Sequence, residues 1–269
     1  MSIRPSQPQS IGGVLDVSFQ LYKASIGSVW PISLLMIFAS SPPTLYMIMK
    51  GGGVADPANP YAALEVMSRP GYWLAYVLSL LMASWVLGAM YIKEHAIAVG
   101  EDMSIGGALQ ASVGRVLPLL FTTILYGIAV AIGTLLLIVP GLILAISLLP
   151  AFCVVLFEDK GPLGALSGSH KLVWGDWWRT SVILTVGFIV VAVAYFAVFA
   201  VVGVIAPLVG LGARDVFFYS LVTGFVVGGV VNLLLSPYYI ALTLSIYWDL
   251  KLRKEGGDLA ARVGALGTT

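Results

Sequence analysis

Long apolar runs alternate along the chain with short polar segments, and this alternation is far coarser than the period of any surface helix or strand. The runs cover 26–49, 72–92, 116–139, 142–157, 180–208 and 216–247. A helix that crosses the roughly 30 Å hydrocarbon layer needs about 20 mostly apolar residues, because each residue rises about 1.5 Å. Six runs of this kind predict an all-α, polytopic membrane protein with six transmembrane helices. The third and fourth runs would form a single stretch too long for one crossing. Val139, Pro140 and Gly141 punctuate it, which predicts a tight turn there.

A finer pattern precedes each pair of runs. Ile11-Gly12-Gly13-Val14-Leu15, Ile105-Gly106-Gly107-Ala108-Leu109 and Pro162-Leu163-Gly164-Ala165-Leu166 are alike. Each is followed by a second marker that begins at Gly27, Gly114 or Gly175. The intervals of 14, 7 and 11 residues differ by three or four, close to one helical turn, so a helical face stays in phase across the three copies. In the first copy Ile11, Val14, Leu15, Phe19 and Tyr22 form an apolar stripe, with Asp16, Gln20 and Lys23 on the other side. The pattern predicts three hairpins, each preceded by an interfacial amphipathic helix lying in the membrane plane. One integral membrane domain results: an amphipathic N-terminus over 1–24, a bundle over 25–248 and a tail over 249–269.

Charge sets the orientation. With the N-terminus inside, eleven of the fourteen basic residues fall on the inner side, and only Lys50, Arg69 and Arg214 fall outside. Short cytoplasmic loops collect Lys and Arg in this way, so both termini are predicted to be cytoplasmic in a bacterial-type inner membrane. Residues 1–23 hold no apolar core with a cleavage site, so the first span is expected to act as its own targeting signal. Trp30, Trp174, Trp177, Trp178 and Trp248 fall at inner helix ends, where aromatic rings anchor spans at the interface. The composition agrees, with 59% hydrophobic and 10% charged residues. A net charge of +1 and the lack of a basic run argue against nucleic acid as a partner.

Little in the chain suggests catalysis. Cys153 sits in an apolar run and reads as a small core hydrophobe. His95 and His170 have no second ligand one helical turn away, and no nucleophile elbow, phosphate loop or zinc-helix motif occurs. No enzyme activity, metal or cofactor is therefore expected. Within the spans, Asn232 is the strong hydrogen-bonding side chain at depth, and Gly224 and Gly228 give a small-residue spacing that would let another backbone approach. Pro237 should kink the sixth helix. These four are candidates for packing or for lining a path. Asp16, Lys23, Lys171, Arg179, Lys251, Arg253 and Lys254 lie at the inner rim and are candidates for contact with anionic lipid or a partner.

Four stretches carry a family resemblance: IGGVLDVSFQLY at 11–22, Val139-Pro140-Gly141-Leu142 leading to Glu158, GPLGALSGSHKLVWGDWWR at 161–179, and YWDLKLRKEGGDL at 247–259. Together they resemble the membrane domain of glycerophosphoryl diester phosphodiesterases. In that family the domain precedes a soluble catalytic barrel, whereas only 22 residues follow Tyr247 here. The resemblance thus implies association with lipid or glycerophosphodiester metabolism without hydrolysis. The expected role is a non-catalytic scaffold or lipid-interacting accessory module, with membrane lipids and a membrane-protein partner or second copy as its contacts. A small transporter or lipid translocator with a path near Asn232 and Pro237 is the alternative.

Overall fold

The structure is a computed structural model that describes the backbone of residues 2–51, 59, 61–208 and 216–266; side-chain surroundings are described for these except 205–208, 216–227 and 257–266. Among the described residues the chain is helical, without strands. The helices are α1 (Ile11–Ser40), α2 (Pro42–Met49), α3 (Ala62–Met67), α4 (Pro70–Val99), α5 (Ile105–Val113), α6 (Val116–Leu136), α7 (Ile138–Leu148), α8 (Ala151–Phe157), α9 (Pro162–Val173), α10 (Trp177–Leu208) and α11 (Val216–Leu266). Among the described residues six segments are long and apolar enough to cross a membrane: Ile11–Ser40, Pro70–Val99, Val116–Leu136, Ile138–Phe157, Trp177–Val204 and Gly228–Gly256. The chain is thus a multi-pass helical membrane protein.

Several boundaries differ from those expected, each for a physical reason. No separate interfacial helix precedes the first span: α1 runs unbroken from Ile11 to Ser40, through Pro31. Ser25 and Ser28 donate back to the carbonyls of Tyr22 and Ser25, so the polar residues at the expected joint are satisfied within the helix. The stripe of Ile11, Val14, Leu15, Phe19 and Tyr22 packs on protein rather than on lipid. Val14 is buried and the others lean on the core, with Phe19 and Tyr22 against Tyr238 of α11 at ring separations of 5.0 and 5.8 Å. The first span also ends early, because Pro42 opens the short helix α2.

The turn between the third and fourth spans falls at Leu137, whose φ of −164° and ψ of 151° break the helix. Pro140 lies in the first turn of α7, where its missing N–H costs nothing. Gly141 instead serves a close approach of α6 and α7: a Cβ there would meet Thr134 Oγ1 at 2.1 Å and Thr134 N at 2.8 Å. Pro150 splits the fourth span into α7 and α8. The Ser147 carbonyl near that break accepts a buried hydrogen bond of 2.8 Å from Ser169 Oγ of α9, as backbone in lipid must.

The core lies where α1, α4, α8 and α11 meet, around Leu21, Val29, Met90, Tyr91, Cys153, Val154, Leu244 and Trp248. Trp248, expected as an interfacial anchor, is fully buried there, so its ring serves packing. Phe121, Ile128 and Leu135 of α6 and Phe188, Val193 and Phe196 of α10 face outward. Water would penalise that surface, but lipid does not. α11 has 51 residues, about 75 Å at 1.5 Å per residue. It exceeds the hydrocarbon layer: the expected tail continues α11 as helix to Leu266, and its first residues, Asp249 and Leu250, are buried.

Candidate functional site

Polar chemistry gathers at one end of the bundle, which holds the N-terminal strap, the end of α4, α5, α9, the start of α10 and the C-terminal half of α11. The strap is tied down by its backbone. The N–H groups of Ile3 and Arg4 donate to the Ala98 carbonyl at 2.7 and 3.0 Å, and Ser2 Oγ does so at 3.1 Å. Ser10 then caps α1 by accepting from the Gly13 N–H at 3.0 Å, and Ser104 caps α5 from the Gly107 N–H at 3.0 Å. The shared Ser-Ile-Gly-Gly string is thus a helix-start signal in both places. In α9, Gly161 and Pro162 take that role. α5 is docked by Trp85, whose indole donates to the Leu109 carbonyl at 2.8 Å.

Asp249 of α11 is the centre of this end. Its side chain is 2% exposed, and a carboxylate so buried needs partners. It has three. Arg179 Nη2 and Arg253 Nε lie 3.1 and 3.0 Å from Oδ2, and the Gln9 backbone N–H donates to Oδ1 at 2.7 Å. Both arginines also donate to the Gln9 carbonyl, Arg179 at 2.6 Å. The strap, the start of α10 and α11 are therefore fastened to one another by a single ion group. Arg179 and Arg253, candidates for contact with lipid or a partner, both donate to Asp249 and to Gln9.

A second group surrounds Glu158, just after α8. Its carboxylate accepts from Lys160 at 2.8 Å, from the Tyr247 hydroxyl at 2.8 Å and from Lys251 at 3.3 Å. Burial alone would push the Glu158 carboxyl up, but these donors hold it below the ordinary carboxylate value. Beside it opens a cleft of about 690 Å³, lined by Glu158, Lys160, Gly168, Lys171, Leu172, Lys251, Lys254 and Glu255. Arg115 pairs with Asp159 nearby, joining the start of α6 to the turn before α9.

The remaining candidates lie apart from this end or on its outer faces. Asp16 and Lys23 are exposed on α1, and Asp16 accepts from Gln20 at 2.8 Å. Pro237 is buried within a continuous α11. Its neighbour Ser236 bonds to Ser33 of α1 at 3.3 Å. Among the described residues the Asn232 side-chain oxygen has no partner. Among the described residues a Cβ at Gly228 would meet nothing within 4 Å, so no described backbone presses on it. Gly224 is helical but lies outside the residues whose side-chain surroundings are described, and Arg214 is not described at all.

Lys93, Glu94 and His95 belong to the last turns of α4. Lys93 reaches the Met103 carbonyl, Glu94 is fully buried, and His95 stacks on Phe157 at 4.5 Å. No group of three His, Cys, Asp or Glu side chains that could hold a metal occurs among the described residues. Asp249, Gln9, Glu158 and Tyr247 were not predicted as a site. The i, i+4 spacing of Asp249 and Arg253 on a helix was a readable signal. Nothing in the sequence marked Gln9.

An all-helical fold with six apolar spans and its polar groups collected at one end defines a multi-pass membrane protein. Over 110 residues the chain is 32% identical to a UPF0259 membrane protein of Pectobacterium carotovorum, an alignment covering 41% of this chain and 42% of that protein. The chain thus spans about two fifths of the length of the curated relative it matches. No family model matches the chain, and no solved structure matches it.

Proposed function

We propose that the protein is a non-catalytic module of a bacterial-type inner membrane, with both termini cytoplasmic. Its rim of α5, α9 and the ends of α1 and α11 serves as a platform for lipids and for a membrane-protein partner or second copy. The observation that carries this reading is the Asp249 group. It ties segments as far apart in sequence as Gln9 and Arg253 into one body, so the rim is a fixed surface rather than a set of loops. The basic excess at that end supports a cytoplasmic placement. The relative's name supports membrane residence and nothing finer. The resemblance to the membrane domain of glycerophosphoryl diester phosphodiesterases supports a role beside lipid or glycerophosphodiester metabolism.

The test reverses charge on the exposed face of α1 and leaves its buried stripe intact. Cross-linking in cells followed by mass spectrometry should recover a different partner set from the Asp16→Lys, Lys23→Glu variant than from the native chain, at equal membrane abundance. An unchanged set contradicts the platform. A translocator draws its support from Asn232, whose amide oxygen lies at depth without a partner among the described residues.

A further inference from the structure

We propose that the cleft between α8, α9 and α11, together with the aromatic cleft beside it, is a binding site for one anionic phospholipid. This inference rests on the platform reading above and names a ligand for it. The first cleft carries four lysines, Lys160, Lys171, Lys251 and Lys254, against two carboxylates, Glu158 and Glu255. Glu158 is already satisfied by Lys160, Tyr247 and Lys251. Lys171 is exposed and makes no ion pair among the described residues, and Lys254 reaches Asp176 only at 3.9 Å. The surplus of positive charge therefore lies on the side of Lys171 and Lys254.

The second cleft, about 390 Å³, is lined by Ile143, Trp174, Gly175, Trp177 and Trp178 and is mostly apolar. Lys254 joins the two. It lines the basic cleft, its ammonium donates to the Trp174 carbonyl at 3.1 Å, and it lies 3.4 Å from where a Cβ of Gly175 would stand. Gly175 has a φ of +102°, a conformation that glycine adopts readily, and the turn it makes sets Trp174 and Trp177 on either side. A phosphate accepts from ammonium groups, while a glycerol backbone and acyl chains pack on indole and aliphatic surface. A basic pocket between spans that opens onto exposed tryptophans offers those two chemistries in the order in which a phospholipid presents them. Free phosphate would use only the first.

Native mass spectrometry of the full chain tests the site, in micelles supplied with equal amounts of phosphatidylglycerol and phosphatidylcholine. The native protein should retain phosphatidylglycerol at least about fivefold over phosphatidylcholine, and Lys171→Gln, Lys254→Gln should reduce that retention about tenfold or more. Trp174→Ala, Trp178→Ala should also reduce it, with the charge intact. Equal retention of the two lipids overturns the site, as does native retention by the lysine variant. Competition by glycerol 3-phosphate as strong as that by phosphatidylglycerol overturns the acyl half and with it the lipid assignment. None of these failures alters the cross-links from α1, so the platform reading is judged separately.

Discussion

Asp249 shows how one side chain can hold a membrane protein's end together. Removing one partner of a buried ion group strands the others, and the loss is about 3 kcal/mol or more. Asp249→Ala leaves the Gln9 N–H without its acceptor and Arg179 and Arg253 without their counter-charge, and thermal unfolding in detergent should show a clear drop. Lys171→Ala, an exposed position on the same rim, should stay within about 0.5 kcal/mol. An equal effect of the two would mean that the Asp249 group contributes nothing special. At this scale the sequence was informative only in part. The charges at 249–255 were visible, but which of them tie down the strap and α10 and which line the cleft was not. One partner of Asp249 is the Gln9 backbone N–H, 240 residues away, and no local pattern encodes such a contact.

The helices themselves were legible, because the length and apolarity of a span are set by the bilayer rather than by its neighbours. Their ends were less so. The joint near residue 25 looked like a break because polar residues interrupt the apolar run, yet serine hydroxyls bonded to their own helix and α1 continued. The Val139-Pro140-Gly141 string looked like a turn; its proline opens α7 and its glycine allows α6 to come close. This difference can be measured. Gly141→Ala places a Cβ against the Thr134 backbone and should cost several kcal/mol or prevent recovery of monodisperse protein. Gly228→Ala meets no atom of the described residues within 4 Å and should be neutral or stabilise by up to about 1 kcal/mol, as alanine favours helix. Comparable losses at both sites would contradict the packing described for α6 and α7.

Over the whole molecule, the outward apolar faces of α6 and α10 and the collection of fixed charge at the opposite end from α2 and α3 define one body with two unlike ends. The platform reading depends on those ends facing different compartments. Single cysteines at Lys50, Glu101 and Glu255, all exposed, in a chain whose buried Cys153 is replaced by alanine, would report this directly. With a membrane-impermeant maleimide, Glu101→Cys and Glu255→Cys should label only in inverted vesicles and Lys50→Cys only in intact spheroplasts. Labelling of Lys50→Cys and Glu255→Cys from the same side would contradict the six-span arrangement and the platform built on it.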